Sequence, residues 1–275
     1  MPASIESSES MESWNKKRAR PSGFWGFRDV EFVERTPLTH DVDHYKFTYH
    51  YSSSDPSEPI PSLSVILLKT PLCLKRNHFT PIFNEDVGYI HLAIKNYGRS
   101  CSGALAKMKP GDKGIQISKC KPHFKQVVSF DKYKLVYLIG SGVGIAPLFQ
   151  YMNSCLKDPN STTKFKLIYS NHSENDIIFR EELDELQRKY PDRVEIIHIL
   201  KTISDEHEKD ITKYVGSRLN VNILKHEMGT DAGNDDVKVF VCGSKPFVKM
   251  VSGLKMWYGG ALRELGYKRS QVLIF

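Results

Sequence analysis

Cysteine is scarce in this chain, and its placement excludes two common uses. The 275 residues include five cysteines, an odd number with no Cys-x-x-Cys spacing: Cys73, Cys101, Cys120, Cys155 and Cys242. Such a set forms neither a disulfide framework nor a zinc site, and a reducing compartment fits it best. The histidines at 78, 172 and 198 also lack the spacing of metal ligands, so we predict no metal site.

Long apolar runs are absent as well. Hydrophobic residues make up 40% of the chain, but no stretch approaches the roughly 20 residues that a membrane-spanning helix needs. The net charge of +7 is spread out apart from a short basic cluster at 16–20, and no nucleic-acid module is recognisable. We expect a soluble monomer with no membrane or nucleic-acid partner, whose charge attracts an anionic substrate or an acidic partner.

The first 22 residues contain little that would fold. They are rich in Ser and Glu and run into a Pro-Ser-Gly turn, so we predict a disordered arm over 1–22. Its acidic residues Glu6, Glu9 and Glu12 are atypical of a transit peptide. We therefore expect a cytoplasmic protein.

Two glycine-containing segments are the most informative part of the sequence. Between Leu135 and Pro147, an apolar run breaks into a glycine-rich turn and resumes as a helical pattern, a geometry that presents backbone N–H groups to a phosphate. Between Val237 and Gly243, a second short apolar run ends in Cys-Gly. Open α/β sheets bind ligands at the carboxyl ends of their strands. The sequence therefore predicts a nucleotide pocket where two strand ends face one crevice.

The organisation of the chain changes near residue 130. Before it, short apolar stretches alternate with turn residues, which predicts an antiparallel β-barrel or sandwich with strands at 29–34, 44–51, 63–68, 88–95 and 114–118. After it, strands alternate with helices, which predicts a doubly wound parallel sheet: strands at 135–139, 165–170, 194–200 and 237–241, and helices at 146–156, 177–189 and 246–265. The predicted domains are 23–130 and 131–275, with loops at 56–61 and 229–236.

Five segments in order resemble the ferredoxin–NADP reductase superfamily and, within it, the NADH–cytochrome b5 reductases. They are the stretches 38–47, 77–81, 94–97, 102–112 and 170–183. The resemblance implies a barrel that binds FAD and a second domain that binds NADH or NADPH. It also implies a reaction: hydride passes to FAD, and single electrons then pass to a haem protein such as cytochrome b5.

The resemblance implies roles for residues on both sides of the site. On the flavin side, Phe79 and Thr80 flank the ring, with Asn77 and His78 in the same motif, while Lys95 and Tyr97 line the nucleotide portion. The pyrophosphate is enclosed by Gly98, Arg99, Ser100, Cys101 and Ser102. On the nicotinamide side, the contacts are Gly142, Val143, Gly144, Cys242, Gly243 and Pro246, and Phe275 lies at the flavin edge. Thr80, Cys242 and Phe275 are the predicted catalytic residues.

Three positions depart from the family pattern. Asn77 replaces the expected arginine, so either Arg76 or Arg99 supplies the charge that pairs with flavin phosphate. Val143 replaces a threonine beside the glycine turn. Lys201 replaces the aspartate of NADH-type members and attracts a 2′-phosphate instead. These departures leave NADPH use open, and they allow a second interpretation in which the fold is retained as a binding or assembly module with little turnover.

The stretch 252–267 resembles fungal relatives more than the animal enzymes. These relatives include the mitochondrial reductase that assists haem attachment to cytochrome c. This local resemblance implies haem iron as an alternative acceptor and the mitochondrion as an alternative compartment.

Overall fold

The computed structural model describes residues 26–50, 60–71, 73–83, 86–122, 132–202, 214–229, 231–254 and 257–275. The predicted arm over 1–22, most of the loop predicted at 56–61 and the predicted domain boundary near residue 130 lie outside these ranges.

The first half of the chain contains two antiparallel sheets. One has the order β1-β7-β4-β5, with β8 paired to β4, and the other has the order β2-β3-β6. The strands are β1 (Arg28–Val30), β2 (Phe32–Pro37), β3 (Val42–Thr48), β4 (Ser64–Thr70), β5 (Cys73–Phe79), β6 (Tyr89–Lys95), β7 (Ile115–Ile117) and β8 (Lys121–Pro122). Both sheets curl around one core, and the short helix α1 (Ser100–Leu105) packs against it. This curled half-barrel confirms the predicted antiparallel class.

Strand alternation decides which residues of the half-barrel face outward. In β3, Tyr45 and Phe47 are buried in the barrel core, so His44 and Lys46 lie on the opposite face. The same alternation in β6 turns Ala93 toward the second half of the chain. The outer face of β3 and β6 is therefore the surface on which the second half packs.

The second half is built on a six-stranded parallel sheet of order β12-β11-β10-β9-β13-β16. Its strands are β9 (Leu135–Ser141), β10 (Lys164–Asn171), β11 (Val194–Leu200), β12 (Tyr214–Val215), β13 (Val237–Cys242) and β16 (Val272–Ile274). The helices that join them are α2 (Ile145–Lys157), α3 (Arg180–Lys189), α4 (Val221–Met228) and α5 (Lys245–Ser252). The strand order reverses between β9 and β13, the position at which such sheets bind ligands.

The helix predicted over 246–265 is wrong. It ends at Ser252, and the chain forms a small hairpin of β14 (Gly253–Leu254) and β15 (Trp257–Tyr258) before a short helix α6 (Gly260–Glu264). Gly253 has φ +74° and Gly260 has φ +64°, and a Cβ at either position would collide with nearby backbone. The positive φ of Gly253 ends α5.

One further predicted element needs correction, and one strand was not predicted. The helix expected from Ile177 begins at Arg180, because Phe179 has φ +61° and cannot continue a right-handed helix. Strand β5 was not predicted, since its sequence from Cys73 to Phe79 is largely charged or polar and lacks a simple apolar alternation.

The two halves share apolar contacts. Val42, Ile82 and Ala93 of the first half belong to the same buried cluster as Ala146 and Phe149 of α2. Polar contacts add to this packing: the Leu63 N–H donates to Gln150 Oε1 at 2.7 Å, and the hydroxyls of Ser62 and Ser154 lie 2.7 Å apart. These contacts hold the half-barrel and the parallel-sheet half together.

Candidate active site

The glycine turn lies between β9 and α2. Residues Gly142–Gly144 form one tight turn, and Gly142 has φ +53°, a conformation that a Cβ disfavours. The Tyr169 hydroxyl donates to the Gly142 carbonyl at 3.0 Å and holds the turn from the neighbouring strand. The turn is therefore held in one conformation at the carboxyl end of β9.

A second backbone segment presses directly against this turn. A Cβ on Gly144 would lie 2.5 Å from the Cys242 carbonyl oxygen and 2.7 Å from the Gly243 nitrogen. Only glycine permits this approach, because real Cβ atoms do not come so close to backbone. The ends of β9 and β13 are thus adjacent, as the sequence predicted.

Cys242 stands at the end of β13, half-buried. Burial raises the pKa of its thiol to about 12, although the Gly243 amide donates a hydrogen bond that lowers the pKa. The sulfur is therefore a protonated thiol at neutral pH, a polarizable neutral group rather than a thiolate nucleophile. Pro246 follows in the first turn of α5, which the Ser244 hydroxyl caps by accepting the Phe247 N–H.

The terminal residue Phe275 is held in place. Its N–H donates to the Val241 carbonyl at 3.1 Å, and its ring lies 5.8 Å from that of Phe240, edge to face. Because Val241 precedes Cys242, this anchoring brings the last residue of the chain beside the end of β13. Val143 and Phe275 both pack, partly buried, on the same core cluster.

On the flavin side, β5 carries the predicted motif. Phe79 is half-buried against the barrel core, and Asn77 Oδ1 accepts from the Ser100 hydroxyl at 3.5 Å. Strand alternation puts Arg76 and His78 on the other face. There the Arg76 guanidinium lies 5.4 Å from the centre of the Phe27 ring. Arg76 is therefore directed away from Asn77, and it is a poor substitute for the missing arginine.

The loop after β6 is shaped by side-chain hydrogen bonds. Asn96 Oδ1 accepts the Gly98 N–H at 2.8 Å, and the Ser102 hydroxyl accepts the Tyr97 N–H at 3.4 Å. A Cβ on Gly103 would lie 2.5 Å from the Gly98 carbonyl carbon, so this loop also depends on a glycine pressed against backbone. The loop passes directly into α1, where Ser100 has φ +59°.

The remaining members of the loop differ in exposure. Tyr97 and Arg99 are exposed, whereas Cys101 and Ser102 are buried. Cys101 directs its thiol away from the surface, toward the Leu68 carbonyl at 3.6 Å. Any contact of Cys101 with a ligand would therefore use its backbone.

A cleft of about 840 Å³ lies between the two halves. From the first half, Lys95 Nζ lies 2.6 Å from Asp41 Oδ2, and His40 Nε2 lies 3.5 Å from the same atom. His40 Nδ1 then lies 3.8 Å from Asp176 Oδ1 of the second half. The Ser173 hydroxyl donates to Asp176 at 2.6 Å. These groups form a polar bridge across the cleft.

Sequence reasoning missed three residues of this bridge. His40, Asp41 and Asp176 have possible ligand atoms within 4.8 Å of one another. Asp41 is already paired with Lys95, and Asp176 accepts from Ser173, so these carboxylates have partners within the bridge. The signal was present, because the residues lie in two segments, 38–47 and 170–183, that carried the family resemblance.

Lys201 directly follows β11 and is exposed. Its N–H donates to the Asn171 carbonyl at 3.3 Å, and the next residue, Thr202, donates through N–H and hydroxyl to the His172 carbonyl at 2.8 and 2.9 Å. These bonds join the ends of β10 and β11 beside His172, which lines the cleft.

Among the described residues, no helix combines the length and apolarity needed to cross a membrane.

Comparison with known proteins gives consistent matches. The family "Oxidoreductase NAD-binding domain" matches residues 138–253. NADH-cytochrome b5 reductase 2-B of Vanderwaltozyma polyspora is 34% identical over 263 residues, covering 92% of this chain and 83% of the relative. NADH-cytochrome b5 reductase 2 of Debaryomyces hansenii is 31% identical over 261 residues, covering 90% of this chain and 82% of the relative.

Solved structures share the fold. The cytochrome b5 reductase domain of Ulva prolifera nitrate reductase is 20% identical, with a TM-score of 0.75 over 94% of this chain and 100% of that chain. A mutant of ferredoxin-NADP+ reductase from Plasmodium falciparum is 15% identical, with a TM-score of 0.67 over 90% and 95%. With relatives above 30% identity along nine-tenths of its length, the chain belongs to the NADH-cytochrome b5 reductase family.

Proposed function

We propose that this protein is an NAD(P)H-dependent flavin oxidoreductase that passes electrons from a nicotinamide dinucleotide through FAD to a haem protein. The observation that carries the proposal is the contact of Gly144 with the backbone of Cys242 and Gly243, which prepares a dinucleotide site at the strand-order reversal. Family membership supports the reaction type, and the names of the relatives make cytochrome b5 the first acceptor to test.

The loop after β6 and the start of α1 fit the nucleotide portion of FAD. Tyr97 is 59% exposed, which leaves an aromatic surface for a ligand to cover. A Cβ on Gly98 would meet nothing within 4 Å, so open space borders the loop. The first N–H groups of α1 have no partner within the helix, and such groups suit a diphosphate. When bound, FAD accepts a hydride and releases single electrons, chemistry that belongs to the cofactor.

The residues of this chain bind and orient the flavin. We assign the ring to Phe79 and Thr80, and the nucleotide portion to Lys95 and Tyr97. The diphosphate is assigned to the N-terminal end of α1 and the residues before it: Gly98, Arg99, Ser100, Cys101 and Ser102. Arg99 supplies the positive charge that the family's arginine would supply at position 77. Arg76 cannot do so, because it lies against Phe27 on the other face of β5.

The second half orients the hydride donor. Gly142 and Gly144 let the dinucleotide approach the backbone, while Cys242, Gly243 and Pro246 border the nicotinamide. The neutral thiol of Cys242 offers a polarizable contact without placing a charge beside the reacting ring. Val143 contributes only van der Waals contact, and Phe275 is assigned to the flavin edge.

The donor includes NADPH. Lys201 is exposed directly after β11, where its ammonium group would attract a 2′-phosphate. We expect NADPH to reduce the protein at least as well as NADH. Replacing Lys201 with Asp should shift preference toward NADH by about 10-fold, corresponding to about 1.4 kcal/mol of a charge-assisted contact. A strong NADH preference in the wild type that Lys201→Asp leaves unchanged would show that Lys201 does not set the nucleotide preference.

A second candidate function is a binding or assembly module with little turnover. The observations that favour it are Asn77, Val143 and Lys201, each a departure at a predicted cofactor contact. One measurement separates the two: the visible absorption spectrum of the purified protein, recorded before and after anaerobic addition of NADH or NADPH. A bound flavin that bleaches supports the oxidoreductase. Absence of flavin, or a flavin that neither nucleotide reduces, supports the module.

The acceptor is tested on the same preparation. Reduced protein is mixed with cytochrome b5, and the haem spectrum is followed. Haem reduction at a rate proportional to protein concentration supports a haem-protein acceptor. If cytochrome b5 stays oxidised while haem bound to cytochrome c apoprotein is reduced, the alternative acceptor, haem iron awaiting attachment, is supported instead.

A further inference from the structure

An aromatic cluster joins the flavin motif to the helices behind the glycine turn. Phe83 lies four residues after Phe79, and its ring centre is 6.1 Å from that of Phe149 and 6.3 Å from that of Phe179. Phe149 and Phe179 are themselves 4.8 Å apart. Phe83 comes from the half-barrel, whereas both partners come from the second half, so the cluster crosses the boundary between the two.

Both partners of Phe83 are connected to the glycine turn. Phe149 lies in α2, which begins at Ile145 directly after Gly142–Gly144. Phe179 has φ +61° and precedes α3. The Tyr169 hydroxyl contacts both segments, donating to the Gly142 carbonyl and accepting the Ile178 N–H at 3.4 Å. Movement of the cluster would therefore move the turn.

On the half-barrel side, Phe83 packs against two histidines that are held by hydrogen bonds. Its ring stands edge-on to His91 at 5.7 Å and to His44 at 6.2 Å. His44 Nε2 lies 2.8 Å from His91 Nδ1, and His91 Nε2 lies 2.9 Å from Asp86 Oδ2. The Ile82 N–H donates to the His91 carbonyl at 2.9 Å. The backbone that leads from the flavin motif to Phe83 is thus fixed to β6.

We propose that Phe83 is a positioning residue for hydride transfer, which sets the separation between the flavin motif and the glycine turn. The inference rests on the proposed function, since it assigns flavin and nicotinamide to these two segments. We assign Phe83 no contact with either ligand. It acts through Phe149 and Phe179, because packed aromatic rings resist sliding and transmit a displacement to their neighbours.

The test compares Phe83→Ala and Phe83→Leu with a matched control, Phe32→Leu. Phe32 is a buried barrel aromatic whose ring contacts, with Tyr45 and Phe47, stay within the barrel. Single-turnover flavin reduction is measured over a range of nucleotide concentrations, together with FAD content. A misplacement of about 1 Å costs roughly 10²-fold in rate, so we expect Phe83→Ala to lower the limiting rate by 10-fold or more. Phe83→Leu should lower it less.

FAD content and the nucleotide dissociation constant should change by less than twofold in both Phe83 variants, because Phe83 is assigned no contact with either ligand. A general loss of stability would not separate the limiting rate from binding in this way. Phe32→Leu should lower the melting temperature and leave the limiting rate of the folded fraction unchanged.

Hydrogen exchange on the flavin-free protein gives a readout that does not depend on turnover. In the Phe83 variants, amides at 142–149 and 79–83 should exchange faster than in the wild type, whereas Phe32→Leu should leave 142–149 unaffected. If wild-type flavin is not reduced, the proposed function fails and exchange alone tests the coupling. The positioning role is overturned by a wild-type limiting rate in Phe83→Ala, or by unchanged exchange at 142–149. If Phe83→Ala does not fold, Phe83→Leu decides by the same criteria.

Discussion

The glycine turn of the second half and the loop before α1 share one structural feature, a glycine packed against backbone, but they lie in different environments. In both, a glycine is pressed against backbone: Gly144 against Cys242, and Gly103 against Gly98, with a virtual Cβ 2.5 Å from a backbone atom in each case. The turn leads into α2 and the loop leads into α1, and the proposed function assigns phosphate groups to both segments.

The surroundings of the two segments differ. The turn continues into α2, whose first residues are fully buried, and it lies between strands with continuous apolar runs. The loop carries exposed residues and is held by side-chain hydrogen bonds from Asn96 and Ser102. Since one such bond contributes only about 0.5–1.5 kcal/mol, we infer that the turn is rigid without ligand, whereas the loop depends on a few bonds and on FAD itself.

The largest expected effect is at the turn. Gly144→Ala would force the new methyl group into the Cys242 carbonyl, both sides being backbone with little room to relax. We expect a loss of about 3 kcal/mol or more in the free energy of unfolding, at the upper end of overpacking costs, and loss of flavin reduction by NAD(P)H. Chemical denaturation and stopped-flow absorbance measure the two effects.

Gly142→Ala is the matched control two residues away. A Cβ there meets nothing within 4 Å, and only the left-handed φ of +53° opposes it, so the cost should be about 1–2 kcal/mol. Equal destabilisation by the two variants would contradict the claim that close backbone contact, rather than conformation, distinguishes Gly144.

The next effect is expected at Cys242. Serine keeps an atom that accepts the Gly243 N–H, so Cys242→Ser should leave the melting temperature and FAD content close to wild type. Flavin reduction should slow by about 10²-fold, because the nicotinamide is misoriented. Thermal melts and single-turnover reduction on one preparation are the measurements.

Cys155→Ser is the control for an ordinary buried thiol. Cys155 is fully buried in α2, and burial raises its thiol pKa to about 12. Its replacement should lower stability by about 1–3 kcal/mol through a poorly satisfied hydroxyl, with a normal rate in the folded fraction. If Cys242→Ser behaves in that same way, Cys242 is a core residue and its proposed site role is wrong.

A smaller effect is expected in the polar loop. Asn96→Ala removes the acceptor of the Gly98 N–H and should weaken FAD binding about 3- to 10-fold, which corresponds to about 0.5–1.5 kcal/mol. Asn96→Ser, which keeps a side-chain oxygen near that amide, should recover part of the affinity. Titration of the flavin-free protein, followed by flavin fluorescence, measures the dissociation constant.

Asn234→Ala is the corresponding control, because Asn234 Oδ1 accepts the Asp236 N–H at 3.0 Å in an exposed turn away from both segments. Its FAD affinity should match the wild type. An unchanged dissociation constant in Asn96→Ala would show that the loop is held by packing, as the turn is.

The smallest expected effect is that of mild acid, and it acts on both halves. Burial and the neighbouring His91 lower the pKa of His44 to about 4, and burial lowers that of His198 to about 4. Both histidines are therefore neutral in the folded protein between about pH 4 and pH 6.5, where the unfolded chain binds protons. The free energy of unfolding should fall as pH drops from 6.5 toward 4.

Denaturation at pH 7 and pH 5 measures this loss, which we expect to be about 1 kcal/mol for His44, reduced because its side chain is only partly buried. In His44→Gln, the part of this loss that is due to His44 should disappear. The part that is due to His198, which packs in the second half, should remain. The charged groups that act on His44 are His91, Glu34 and Lys46. An identical pH dependence in His44→Gln and wild type would exclude His44 as a source.

Local periodicity predicted four strands of the second half correctly, but it did not predict the helix Val221–Met228 or the strands Tyr214–Val215 and Val272–Ile274. The strands 135–141 and 237–242 are continuous apolar runs that end in glycine, and that pattern predicts buried parallel strands with a turn at the ligand edge. It failed after Ser252, because the glycines at 253 and 260 adopt left-handed conformations that depend on their contacts. It also failed at β5, where the consecutive polar residues Lys75, Arg76 and Asn77 interrupt the alternation of apolar and polar residues that predicts a strand.

The sequence by itself determined the fold class, the order of the two halves, the glycine turn and the Cys242-Gly243 strand end, and the family, because each of these patterns lies in residues close together in the chain. That the two strand ends are adjacent followed from the rule that ligands bind where parallel strands end. Only the tertiary structure decided that Arg76 faces Phe27, that His40 and Asp41 meet Asp176, and that Phe83 packs on Phe149 and Phe179. Those contacts join residues far apart in sequence. They follow from strand registry and from how two cores pack together, neither of which leaves a periodic signal in either segment alone.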